Sequence, residues 1–112
     1  MLETAVKIAA IELGIELEAV PAEQRLAGRP YTGSATLGDF GGSEIGVWEM
    51  TPGTMRDIEA DEVFIVLVGA GTVQFDETGE TVLLAPGDVM RLRAGQRTVW
   101  TITQTLRKVY FA

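Results

Sequence analysis

Residues 54 to 71 read TMRDIEADEVFIVLVGAG, and four of the six positions from Asp57 to Glu62 are carboxylates. An apolar run closed by Gly69 and Gly71 follows directly. Carboxylates crowded at the mouth of a buried strand can hold a cation, accept from an amine or amide, or act as a general base where burial raises a pKa. The rest of the chain narrows that choice, because it has no histidine and no cysteine. The imidazole base, the usual zinc ligand and the Ser-His relay are therefore gone, as are disulfides, thiolate metal sites and thiol catalysis. Proton transfer would fall to Glu62, the carboxylate that heads the apolar run, or to the hydroxyl of Tyr110.

Asp57, Glu59 and Asp61 also offer oxygen ligands for Ca²⁺ or Mg²⁺. The known loop type needs a glycine in the middle of its ligand sequence, and none stands here. The acidic run reads instead as a solvated rim. Its natural partners are basic, since the stretch from Val89 onward carries five basic residues, Arg91, Arg93 and Arg97 among them, and no acid. Cross-strand pairs between the two regions would contribute up to about 1 kcal/mol each and help set register.

These groups must be positioned by short, glycine-punctuated segments. Strands are expected near 33–39, 44–51, 54–58, 62–68, 72–76, 80–85, 88–92, 97–104 and 106–111, divided by Gly41-Gly42, Pro52-Gly53, Gly69-Ala70-Gly71, Thr78-Gly79, Pro86-Gly87 and Ala94-Gly95. That spacing belongs to an all-β sandwich or small barrel. Ile11, Leu13, Ile15 and Leu17 alternate with polar residues and glycine, the period of a further half-buried strand. Pro21 and Gly28 bracket room for one helical turn. In strand 62–68, Phe64, Val66 and Val68 follow Glu62 on one face while Val63, Ile65 and Leu67 lie on the other, so both faces need cover. The outer face is expected to be covered by a second copy of the chain, or alternatively by the N-terminal strand of the same chain.

At 112 residues the chain is expected to form one domain, with residues 1–32 as N-terminal strands and a helical turn and 33–112 as the barrel. Hydrophobic residues at 46% and charged residues at 22% suit a globular protein rather than a disordered one. A net charge of −7 argues against nucleic acid and anionic membrane as partners. The longest apolar stretch, Val63 to Val68, is far short of the roughly 20 residues that span a bilayer, and a cytoplasmic location is the expectation.

Glu62 followed by Gly69, a glycine-bounded hairpin and LLAPGDVMRLRAGQRTVWTI resembles the cupin superfamily over about residues 44 to 112. GVWEMTPGTMRD, PGDVMRL and TLRKVYFA are similar to small single-domain cupins related to ureidoglycine aminohydrolase. The resemblance implies an all-β fold, a double-stranded β-helix or jelly-roll barrel of two antiparallel sheets. Its first motif runs glycine, five residues, His-x-His, three or four residues, glutamate, six residues, glycine. With three residues before the glutamate, the metal-ligand positions fall on Arg56, Ile58, Glu62 and Thr98, and Arg93 stands where the second motif has proline. Only the glutamate survives, and one carboxylate with a hydroxyl holds transition ions weakly. No metal and no cofactor is therefore expected.

A barrel without its metal leaves an expected pocket lined by Trp48, Arg56, Ile58, Glu62, Phe64, Thr98 and Trp100. Arg56 would pair with a ligand carboxylate and Glu62 would accept from an amine, which suits a small anionic or zwitterionic metabolite. The bland alternatives are that Arg56 and Glu62 neutralise each other and that the tryptophans are core. An arginine beside Glu62 keeps it ionised and so favours binding over turnover. Two further readings stand beside this one: a ureidoglycine aminohydrolase-like enzyme of nitrogen or sugar metabolism, implied by the resemblance alone, and a non-catalytic dimeric accessory cupin.

Overall fold

A computed structural model describes residues 1–112. Nine strands and no helix make up the chain: β1 Glu18–Ala19, β2 Arg25–Gly28, β3 Tyr31–Phe40, β4 Ser43–Met50, β5 Gly53–Ile58, β6 Glu62–Phe75, β7 Thr81–Leu84, β8 Val89–Leu92 and β9 Arg97–Phe111. They form one continuous antiparallel sheet that curls on itself. The two sheets expected from the sequence are its two halves, and β6 and β9 run through both.

Register makes this plain. Val63 to Val68 of β6 pair with the C-terminal part of β9, while Gly71 to Phe75 pair with its N-terminal part. On its other edge β9 takes β4 along Leu106 to Phe111 and β5 along Arg97 to Ile102. The other edge of β6 takes β8 and then β7. The expected turn at Gly69-Ala70-Gly71 is instead a bulged bend inside one strand, as is the expected break between 104 and 106. The glycines are required because β9 presses on them: a Cβ on Gly69 would lie 2.3 Å from the carbonyl oxygen of Thr105, and one on Gly71 would lie 2.4 Å from that of Thr101.

A bulge adds a residue to one strand and so changes which parity faces inward. Glu62, Phe64 and Val66 face the interior before the bend, whereas Val73 and Phe75 do so after it. Strand β9 keeps even parity on both sides of the bend, placing Thr98, Trp100, Ile102, Leu106 and Lys108 inside, with Gln104 exposed between them. Met50, Met55, Leu84 and Leu92 complete the core. Burying each large apolar side chain contributes on the order of 1.5–3 kcal/mol, the main term holding the barrel closed.

The N-terminal segment departs from expectation. Leu13, Ile15 and Leu17 are half-buried between exposed neighbours as in a strand, but Ile11 is exposed, residues 11–17 join no ladder, and the only strand nearby is the two-residue β1. Side-chain hydrogen bonds hold the segment instead: Arg107 Nη1 donates to the carbonyls of Ala10 at 2.9 Å, Ile11 at 3.0 Å and Leu13 at 2.6 Å. Glu49 Oε1 accepts from the same guanidinium at 2.9 and 2.6 Å. The segment lies over the outward face of β3 and β4, where a Cβ on Gly33 would meet the carbonyl of Glu16. The single turn after Pro21 is present, with Gln24 and Arg25 donating to the Pro21 carbonyl, but it leads into β2, which Gly28 closes in a left-handed conformation.

Candidate functional site

At one end of the barrel a cavity of about 160 Å³ is lined by Ser34, Trp48, Asp57, Glu59, Glu62, Trp100, Lys108 and Tyr110. Three carboxylates and a single ammonium thus line one chamber. Asp57 is the last inward residue of β5, because Met55 before it is core and the pleat alternates. Glu59 lies between β5 and β6, where its backbone is fixed by exchange with the facing loop: its N–H donates to Gln96 O, and Gly95 N–H donates to its carbonyl, both at 2.9 Å.

The Glu59 side chain is 9% exposed. Its Oε2 accepts from Thr98 Oγ1 at 2.6 Å and from Trp100 Nε1 at 2.9 Å. Lys108 Nζ donates to Glu62 Oε2 at 2.5 Å. The same nitrogen lies 4.3 Å from the ring centre of Phe64, 4.7 Å from that of Trp48 and 4.8 Å from that of Trp100. Negative ring faces attract a cation, and with the Lys108 side chain only 5% exposed, little water screens that attraction. Burial, and next the neighbouring Glu59 charge, push the Asp57 carboxyl above its ordinary value of 3.8. Tyr110 closes the mouth. Its hydroxyl donates to Glu44 Oε2 at 2.9 Å, and burial followed by that carboxylate raises its pKa. Gly46 makes room for the ring, since a Cβ there would meet it at 2.4 Å.

Of the seven expected pocket residues, Trp48, Glu62 and Trp100 line this cavity, Phe64 backs Lys108, and Thr98 supports Glu59. Arg56 and Ile58 do not join them. Both are exposed, Ile58 at 62%, and line a groove of about 490 Å³ with Leu26, Arg97 and Thr98 that borders the chamber at Asp57. The motif spacing allows three or four residues before the glutamate, and one residue of slip exchanges the two faces of a strand. A gap of four selects Met55 and Asp57, which do face inward. Glu62 accordingly pairs with Lys108 and not with Arg56.

The acidic run is a rim only in part, for Asp61 alone keeps to the outside, accepting from Ala94 N–H at 3.0 Å and Arg91 Nη2 at 3.4 Å. Lys108 was legible in principle: it continues the parity of Thr98, Trp100 and Ile102 along one strand. The expected strand break near residue 105 hid that continuity.

A transition ion does not fit these residues. No group of three His, Cys, Asp or Glu side chains is placed to hold a metal ion. Glu62 is committed to an ammonium and one oxygen of Glu59 to two donors. What the arrangement does offer is a small chamber with acceptor oxygens, aromatic walls and one fixed cation.

A family model described as the EutQ-like cupin domain matches residues 37–110. No curated protein matches the chain. Among solved structures, a Rhizobium leguminosarum protein of unknown function is 26% identical, with a TM-score of 0.64 over 71% of this chain and 78% of that one. The Clostridium difficile EutQ protein is 17% identical, with a TM-score of 0.69 over 94% of this chain and 83% of its own. A DUF861-family protein of Pseudomonas syringae, 21% identical, reaches a TM-score of 0.74 over 89% of this chain and 44% of its own. The fold is thus a cupin jelly-roll.

Proposed function

The chain belongs to the EutQ-like cupin domain family, and from that premise we propose that it is a binding cupin whose barrel takes a small polar metabolite, as a homodimer joined through the outer sheet face. The observation that carries the reading is the convergence of Asp57, Glu59, Glu62 and Lys108 on one chamber walled by Trp48 and Trp100. Small-molecule sites pair apolar walls with a few convergent polar groups in this way. A chamber of about 160 Å³ has room for about five water-sized groups at the ~30 Å³ each takes in liquid, so the ligand is small. Three carboxylates against one ammonium favour a neutral, zwitterionic or cationic molecule that donates hydrogen bonds. The anionic ligand expected from Arg56 loses its counter-charge, because that guanidinium lies outside the barrel.

A second reading is a barrel that binds nothing. It is favoured by one observation: every buried side-chain nitrogen and oxygen already has a hydrogen-bond partner. A thermal-shift screen separates the two, since a ligand selective for the folded chain raises its melting temperature. Small amines, amino acids and polyols should stabilise the wild type, and Arg56→Ala should keep the response. A flat response across the panel would select the closed barrel.

A further inference from the structure

We propose that the groove beside β5 is a second binding site, which takes a monocarboxylate with an apolar body between Arg56 and Arg97. The proposal goes beyond the chamber reading and does not depend on whether the barrel takes a metabolite. Register builds the site. On the outward face of β5 and β9, Ile58 lies opposite Arg97 and Arg56 lies opposite Val99, so the two arginines are diagonal neighbours, roughly 7–8 Å apart. A carboxylate set between them can give one oxygen to each guanidinium. Both arginines are exposed, and neither has a carboxylate oxygen of the chain within 4.0 Å, whereas Arg91 and Arg107 are paired with Asp61 and Glu49.

The apolar wall of the groove is Leu26, Ile58 and Val99. Leu26 owes its place to a bulge: β2 pairs Arg25 with Met55 and Ala27 with Thr54, leaving Leu26 as the extra residue, and a bulge re-aims a side chain out of the regular alternation. The turn before it is fixed on β5, because Arg56 N–H donates to Gln24 O at 2.8 Å and Gln24 Nε2 donates to Arg56 O at 3.4 Å. The groove is thus preformed, and its volume of about 490 Å³ lies within the ~300–1,000 Å³ usual for small-molecule sites. Glu23, Asp57 and Asp76 also border it, and Asp57 Oδ1 already accepts from Ile58 N–H. A single carboxylate touches both guanidiniums, whereas a second negative charge would find no third cation in the groove and three acids around it. The site therefore selects a monoanion over phosphate or a dicarboxylate.

The test titrates the full ¹⁵N-labelled chain at pH 7 and constant ionic strength with sodium benzoate, following amide and indole N–H signals by NMR, with benzyl alcohol, succinate and inorganic phosphate as comparison probes. Benzoate should give saturating shifts centred on the amides of Arg56, Ile58, Arg97 and Val99, while the other three probes should bind more weakly. Arg56→Gln and Arg97→Gln, both at exposed positions that leave the core untouched, should each weaken benzoate binding about fivefold or more, and Leu26→Asn should weaken it as well. Shifts that do not saturate, saturation centred on the indole signals of Trp48 and Trp100, phosphate binding as tight as benzoate, or unchanged affinity in both arginine variants overturns the inference. The amine and polyol screen of the chamber can fail without altering these titrations, so the two readings fall separately.

Discussion

Glu59 and Asp61 are separated by a single alanine. One is buried against Thr98 and Trp100, and the other is exposed and caps a loop through Ala94. Composition cannot tell them apart; the pleat and the turn between β5 and β6 do. Backbone donation from Ala94, aided by Arg91, holds the Asp61 carboxyl below its ordinary value. Asp57 goes the other way, so its native form holds its proton more tightly than the unfolded chain does. Its contribution to stability is then complete below about pH 4 and is lost as pH rises through the native pKa. Asp57→Asn removes that loss while its amide oxygen can still accept from Ile58 N–H, as Asp57 does at 2.8 Å. The variant should melt above the wild type at neutral pH, with the gap shrinking as pH falls toward 4; an unchanged gap would place the titrating group elsewhere.

At the scale of elements, β6 and β9 decide the site. Their shared bend lets one strand serve both halves of the barrel and exchanges the inward parity of β6 at Gly69 to Gly71. Gly69 has φ near +99° as well as the close approach of Thr105. Gly69→Ala should therefore cost about 2 kcal/mol or more, read as a lower denaturant midpoint with an unchanged slope. Gly79→Ala is the control: its φ is also positive, at 72°, but a Cβ there meets nothing, so its cost should be closer to 1 kcal/mol. Glycine marked the bend correctly in the sequence. A turn and a bulge carry the same residue signal, though, and only pairing with a partner strand separates them.

For the whole molecule, the N-terminal segment covers part of the outer face under the hold of Arg107, and Val47 there is fully buried although it points away from the core. Val63, Val89 and Phe111 remain exposed on the outward side of β6, β8 and β9 at 37%, 65% and 37%. If the proposed homodimer closes over them, Val63→Asp/Phe111→Asp should shift the sedimenting species from dimer to monomer without unfolding the chain; a monomeric wild type would end that proposal. The sequence by itself determined the all-β class, the missing imidazole chemistry and the inward places of Trp48, Glu62 and Trp100, because these follow from residue type and a period of two. Only the tertiary structure decided that Asp57 and Glu59 turn inward, that Arg56 turns out and that Lys108 meets Glu62. Those contacts join positions up to 46 residues apart, and a one-residue choice of register, which no local pattern specifies, sends a side chain to the barrel or to water.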